Sequence, residues 1–197
     1  MGKKTDTRQR MIEQADTLFR RHGYLNTALL QVVEESGASR GSIYFHFPGG
    51  KEELGVEVMG RVHQTLVDTV DEAAKAGDGD PGEVVLGMAR EFGETLRDTG
   101  YQSGCPIVPV AIEAVPASEP LRKACADVFG AWERQVALHF ESAGLGAEEA
   151  HRYARLAVCA LEGGLVLART QQSLEPLDQV ALDVAEQVRK AVLAQAA

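Results

Sequence analysis

The sequence of 197 residues predicts an all-α protein. Apolar residues recur at three- and four-residue spacing along most of the chain. Glycine- and proline-bearing clusters, such as Gly77-Asp78-Gly79-Asp80-Pro81 and Gly104-Cys105-Pro106, punctuate those periodic stretches. No alternating strand pattern bounded by hairpin turns occurs, and internal repeats are absent.

The elements follow in order. Ile12, Ala15, Leu18 and Phe19 form one face of a first helix, and Gly23 is placed to end it in the left-handed conformation. Thr27 is placed to cap a short second helix carrying Leu29, Leu30, Val32 and Val33, which Gly37 closes. A third begins near Ser39, holds Ile43, Tyr44 and Phe47, and breaks at Pro48-Gly49-Gly50. From Lys51 to about Ala76 a long helix places Leu54, Val58, Val62, Leu66 and Val70 four residues apart. Asp80, Pro81 and Glu83 resemble a capping box opening a helix to about Arg97. A short segment follows Gly104-Cys105-Pro106 and stops near Pro116. Ser118 caps the next helix, which carries Trp132, Val136 and Phe140 and ends at Gly144 and Gly146. Two long helices complete the chain, at about 147–172 and 177–195, separated by Glu175-Pro176.

Composition narrows the function classes. With 45% hydrophobic and 25% charged residues the chain is neither disordered nor collagen-like. Cys105, Cys125 and Cys159 form no CxxC pair, which fits neither a disulfide scaffold nor a structural zinc site and suggests a reduced, cytoplasmic compartment. No apolar run reaches the ~18 residues of a membrane span, so no membrane partner is expected. The net charge of −9 counts against a generic nucleic-acid coat. That charge is uneven, however. Residues 1–47 hold Lys3, Lys4, Arg8, Arg10, Arg20, Arg21 and Arg40 against Asp6, Glu13, Asp16, Glu34 and Glu35, a net of +2. The remainder carries −11, so the N-terminal module is expected to meet a different partner from the rest.

Two short helices joined by a glycine-containing turn suggest a helix-turn-helix. The third helix would present Ser39, Arg40 and Ser42 where base edges of a major groove lie, with Arg40 able to fork onto a guanine. A plain helix pair with a solvated charged face has the same spacing. Catalytic patterns are absent: the five histidines are scattered without HExxH, and Gly49-Gly50-Lys51 lacks the rest of a phosphate loop.

The stretch from Arg8 to Leu54 resembles the DNA-binding domain of TetR/AcrR-type transcriptional regulators. The residues that carry the likeness are Leu18-Phe19, Gly23-Tyr24, Thr27, Ser36 to Phe47 and Lys51-Glu52-Glu53-Leu54. Phe47-Pro48-Gly49-Gly50-Lys51 and Gly104-Cys105-Pro106-Ile107-Val108-Pro109-Val110 are similar to the LmrA/YxaF subgroup. The resemblance implies an N-terminal three-helix DNA-binding domain over 1–50 and a larger helical ligand-binding and dimerisation domain over 51–197. It implies backbone contacts from Thr27, Tyr44, His46 and Lys51, base contacts from Arg40, Gly41 and Ser42, and a ring at Phe45 packing near the backbone. Three departures stand out: Val33 replaces a usual alanine, the Pro48-Gly49-Gly50 link is one residue longer, and Phe45 lacks a hydroxyl.

The family likeness further implies a homodimer through about 147–172 and 177–195, with Ala154, Leu156, Ala157, Ala160, Leu161, Gly163, Gly164 and Leu167 allowing close helix approach. It implies a repressor on a palindromic operator, released by a small, largely apolar effector. Phe92, Cys105, Ile107, Val108, Phe129, Trp132 and Glu162 are the candidate cavity liners, each also readable as ordinary core. Glu162 could meet a ligand, Arg169, Arg155 or water. No cofactor or metal is implied. The alternatives are an all-α ligand-binding protein or enzyme without DNA binding, and an activator of the same fold.

Overall fold

In the computed structural model, which describes residues 2–195 and side chains from Asp6 onward, the described chain is helical without strands. Lys3 and Lys4 therefore lie outside the described side chains. The helices are α1 (Gly2–His22), α2 (Leu29–Glu35), α3 (Ser42–His46), α4 (Gly50–Ala76), α5 (Pro81–Asp98), α6 (Ile107–Glu113), α7 (Glu119–Ser142), α8 (Ala147–Gln171) and α9 (Glu175–Gln195). The chain divides into two compact units. One comprises the chain to His63 together with Cys105–Val128, and the other comprises Gln64–Gly104 and the chain from Phe129 onward.

The first unit is built on α1. Its inward face, Met11, Ile12, Ala15, Leu18 and Phe19, is buried together with Val32, Val33, Ile43 and Phe47. Phe19 and Tyr24 stack at a tilt with 5.2 Å between ring centroids. Gly23 ends α1 with φ +86°, and its N–H donates to Phe19 O at 3.0 Å, as a helix stop of this type requires. The expected apolar row of α4 begins here with Leu54, Val58 and Val62, all buried. Gly55 is needed for a close approach, because a Cβ there would lie 2.9 Å from Leu121 and 3.1 Å from Tyr24. The segment Cys105–Val128 thus packs into the same unit as the first three helices.

Some helix starts differ from the sequence expectation. Thr27 does not cap α2; the N-cap is Ala28, and the Thr27 hydroxyl donates instead to Gly23 O at 2.8 Å. That bond faces backward over the turn, leaving no side-chain acceptor for the first amides of α2. The third helix starts at Ser42, not near Ser39. Both the N–H and the hydroxyl of Ser42 donate to Ser39 O, at 2.9 and 2.6 Å, so residues 39–42 close a tight turn before the α ladder begins. Pro176 lies in the first turn of α9 and does not precede the helix, a position where its missing N–H costs nothing.

In the second unit α9 packs against α5 and α8. Gly164 permits the α8–α9 approach: a Cβ would come within 2.9 Å of Val180 and 3.1 Å of the Leu177 backbone. Ala154, Ala157, Leu161 and Gly164, expected at the homodimer contact, are instead buried within this chain, Gly164 against α9. Asp80 caps α5 by accepting from Gly82 N–H at 2.8 Å, while Arg189 of α9 donates to the same carboxylate from Nε at 2.9 Å. The Arg189 bond holds the Asp80 carboxyl below its ordinary range. On α4 and α7, Asp71 accepts from Gln135 at 2.6 Å and pairs with His139 at 2.7 Å, and the His139 bond lowers the Asp71 carboxyl likewise. Cys125, in the first unit, is buried, and desolvation pushes its thiol up to about 11.

Depressed carboxyls in the fold contribute stability above the ordinary carboxylate pKa, and that contribution is lost as pH falls through the lowered value. Asp80→Ala removes a cap and an ion pair and is expected to destabilise by about 1–2 kcal/mol at pH 7. Asp80→Asn keeps a capping oxygen and should lose less. Thermal unfolding from pH 7 to 3 checks both, with the variants showing a smaller acid-side drop than the wild type.

Candidate nucleic-acid interface

The helix-turn-helix is assembled from parts too short to be stable alone: α2 has 7 residues and α3 has 5. They are fixed by side chains pointing inward, Val32 and Val33 from α2 and Ile43 from α3. Gly37, with φ +67°, makes the turn between them. Arg10 of α1 donates to Ser36 O at 3.1 Å, satisfying a carbonyl at the end of α2. At the far end of α3, Gly50 adopts φ +68° and its N–H donates to Phe47 O at 2.9 Å, which explains the glycine in the longer link before α4. Neighbouring Gly49 N–H donates to Glu53 Oε2 at 2.7 Å.

The anchored head leaves a distinct set of side chains outward. Arg40 is 78% exposed, with the Glu34 carboxylate 3.5 Å away. Tyr44 and Phe45 are 64% and 66% exposed, although large aromatic side chains usually gain by burial. The fold leaves Tyr44 outside the core of the small helical unit. Phe45 stands edge-on to His46, with centroids 5.1 Å apart. Ser39 and Gly41 are exposed and Ser42 and His46 half-buried, so the exposed and half-buried residues from Ser39 to His46 form one surface around α3.

Two expected contacts lie differently. Thr27 is 1% exposed, with its hydroxyl committed to Gly23 O, so its side chain is part of the interior. Lys51, at the start of α4, is half-buried: its ammonium donates to Leu25 O at 3.1 Å and lies 4.5 Å from the Tyr24 ring centroid. Burial lowers the Lys51 pKa, opposed by the nearby charge of Glu113, and burial raises that of Tyr24. Other cations of the basic segment are committed to carboxylates, Arg8 to Glu57 at 2.7 Å and Arg20 to Asp16 at 2.7 Å, while Arg10 pairs with Asp6. Glu113 of α6, which the sequence reading did not single out, accepts from Leu25 N–H at 2.6 Å. A lone glutamate 88 residues from its partner carries no sequence signal that would pair them.

The chain matches the family model "Bacterial regulatory proteins, tetR family" over residues 11–58 and "Transcriptional regulator LmrA/YxaF-like, C-terminal domain" over 81–183. It is 34% identical to the HTH-type transcriptional regulator YxaF of Bacillus subtilis across 96% of this chain and 99% of that one. The HTH-type transcriptional regulator LmrA of the same organism is 31% identical, over 87% of this chain and 91% of its own. This chain belongs to the TetR family.

It is a DNA-binding transcriptional regulator, and its relatives are regulators, not enzymes. The TetR fold is matched in solved structures as well. A regulatory protein TetR from Rhodobacter sphaeroides superposes with TM-score 0.81 over 90% of this chain and 96% of that one, at 20% identity. SCO4454 of Streptomyces coelicolor superposes with TM-score 0.77 over 95% and 90%, also at 20% identity. The sequence-level resemblance to this family and to its LmrA/YxaF subgroup thus holds, as does the all-α fold with a helix-turn-helix.

The candidate effector liners fall in both units. Cys105, Ile107 and Val108 belong to the first, where the Cys105 sulfur accepts from Ile107 N–H at 3.3 Å. Phe92, Phe129, Trp132 and Glu162 belong to the second. There Trp132 is buried, donates from its indole N–H to Met88 sulfur at 3.2 Å, and meets Phe92 edge-on with centroids 5.6 Å apart. Glu162 is half-buried on α8, with its Oε2 shielded from solvent. A cavity of about 110 Å³ in the second unit is lined by Ala74, Gly79, Asp80, Pro81, Val84, His139, Ser142 and Ala143, none of them among the seven. No helix among the described residues is long and apolar enough to cross a membrane.

The two glycines of the reading head separate conformational from spatial demands. A Cβ at Gly37 meets nothing within 4 Å but must adopt φ +67°, so Gly37→Ala is expected to cost about 1 kcal/mol. A Cβ at Gly41 is also unopposed and sits on ordinary φ −73°, so Gly41→Ala should leave stability within about 0.5 kcal/mol. Chemical denaturation distinguishes the two.

Proposed function

We propose that this TetR-family regulator is a cytoplasmic repressor that binds a palindromic operator as a homodimer and leaves it when a small, largely apolar effector binds. Residues 1–50 read DNA, and 51–197 carry effector binding and dimerisation. The observation that carries the DNA-reading half is the surface of exposed Ser39, Arg40, Gly41, Tyr44 and Phe45 with half-buried Ser42 and His46 on a buried three-helix frame. Arg40 and Ser42 approach base edges, Tyr44 and His46 hold the phosphate backbone, and Phe45 makes an apolar contact near it. Lys51 supports the backbone contact from the start of α4. Thr27, buried with its hydroxyl on Gly23 O, supports that surface from beneath and makes no phosphate contact with its side chain.

Dimerisation is supported by the outward face of α8, where Leu156, Val166 and Leu167 are exposed around Cys159 and Gly163. A Cβ at Gly163 meets nothing within this chain, although a glycine in a helix interior costs about 1 kcal/mol. Close approach of a second copy accounts for it. On α9, Leu182 and Leu193 extend an exposed apolar row. A single head makes few base contacts, so a twofold pair reading half-sites ~34–36 Å apart, or a multiple, supplies useful specificity. An effector acts by binding better to the conformation with poor operator affinity. Within the second unit, Phe92, Phe129, Trp132 and Glu162 are proposed to meet it.

A palindromic duplex selected from random DNA tests this function. Binding should be salt-sensitive and two protomers per duplex. Tyr44→Ala is expected to weaken all operator variants alike, whereas Arg40→Ala relaxes preference at one base pair, a discrimination of about 1–3 kcal/mol. Equal losses across a panel of operator variants would refute that division. Leu167→Glu should shift the protein towards monomer in sedimentation and weaken the palindrome more than a half-site. An unchanged sedimentation profile would remove α8 from the interface.

A further inference from the structure

Glu113 makes the least expected contact of the head. It closes α6, in a segment that the sequence separates from the helix-turn-helix, yet it belongs to the same compact unit. Its Oε2 accepts from Leu25 N–H at 2.6 Å. Its Oε1 occupies the space that a Cβ on Gly23 would need, 2.5 Å from that position, so the carboxylate is seated in the turn that ends α1. The carbonyl of the same Leu25 accepts from Lys51 Nζ at 3.1 Å. Both main-chain polar groups of one turn residue are thus held by side chains from elsewhere in the chain.

The placement of those side chains gives the grip its consequence. Leu25 lies in the α1–α2 turn, and Lys51 follows the α3–α4 link, so the Lys51 contact ties the entry of the helix-turn-helix to its exit, while the Glu113 contact ties the same turn to the end of α6. The turn itself is closed by Thr27 hydroxyl to Gly23 O at 2.8 Å and Asn26 Nδ2 to His22 O at 3.1 Å. A carboxylate near a surface that approaches phosphate repels the ligand, and a neutral acceptor would satisfy Leu25 N–H without that repulsion.

We propose that Glu113 is a positioning residue for DNA binding, acting through the hydrogen bond from Leu25 N–H that sets the α1–α2 turn against Lys51 and the start of α4. The inference rests on the DNA-reading role of the head and adds a residue that touches no DNA.

Four proteins test it: wild type, Glu113→Gln, Glu113→Asp and Glu113→Ala. Glutamine presents an oxygen at the same reach without charge, whereas aspartate keeps the charge and is one methylene too short. Two readouts are taken, affinity for a palindromic duplex selected by the wild type and amide hydrogen exchange of the peptide spanning Gly23–Thr27 in the free protein. Glu113→Gln should keep affinity within threefold and preserve slow exchange. Glu113→Asp and Glu113→Ala should each lose about tenfold, or about 1.4 kcal/mol, and exchange faster at 23–27. Glutamine as weak as alanine, or aspartate as tight as wild type, would overturn the inference, as would both neutral variants binding tighter, which reports charge alone. Unchanged exchange in Glu113→Ala would overturn it without reference to DNA. A wild type that selects no duplex would sink the DNA-reading assignment, while exchange still reads the grip.

Discussion

The burial of the α1 face is the interaction on which the outward surface around α3 depends. Helices of seven and five residues do not persist alone in water, because the cost of ordering a first turn is recovered only over longer ladders or by packing. Here Met11, Ile12, Ala15, Leu18 and Phe19 cover Val32, Val33, Ile43 and Phe47, and all are excluded from solvent. Arg10 adds a bond to Ser36 O, where α2 runs out of internal partners. Only with that frame in place can the residues around α3 be held outward as a rigid surface.

The frame is larger than the three helices. A 50-residue module buries a smaller share of its surface than a larger domain does, and such modules are marginal without help. Cys105–Val128 supplies it: Leu121 lies against Gly55, Ser118 donates to Glu52 at 2.7 Å, and Glu113 reaches the turn after α1. A segment on the far side of α4 and α5 in sequence therefore contributes to the environment of the helix-turn-helix. In the other unit, the same economy appears as glycine at the crossing of α8 and α9 and as Arg189 forked onto the carboxylate that caps α5.

Charge follows the same division. The net −9 belongs mainly to residues beyond the head, and the head's own cations are largely occupied, Arg8, Arg10 and Arg20 each by a carboxylate. Arg40 is left mostly exposed. Weak general attraction to phosphate makes binding depend on a few placed contacts, which favours discrimination between sequences over adhesion.

The sequence by itself determined the helices, their order and the family. Periodicity and punctuation are local properties, so the α4 row, the Asp80 cap and the stops at Gly23 and Gly37 were legible in it, as was the likeness carried by Ser36 to Phe47. The outward surface around α3 was legible in part. Which of Thr27, Tyr44 and Phe45 turns outward depends on neighbours from other helices, and the fold buries the first and exposes the other two. Likewise, the small residues of α8 share one spacing, yet Gly164 packs inside while Gly163 faces out. Glu113 with Leu25, Lys51 with the same residue, and the return of Cys105–Val128 to the head were decided only by tertiary structure. Each joins residues far apart in the chain, and no local propensity records which distant group will satisfy an open amide.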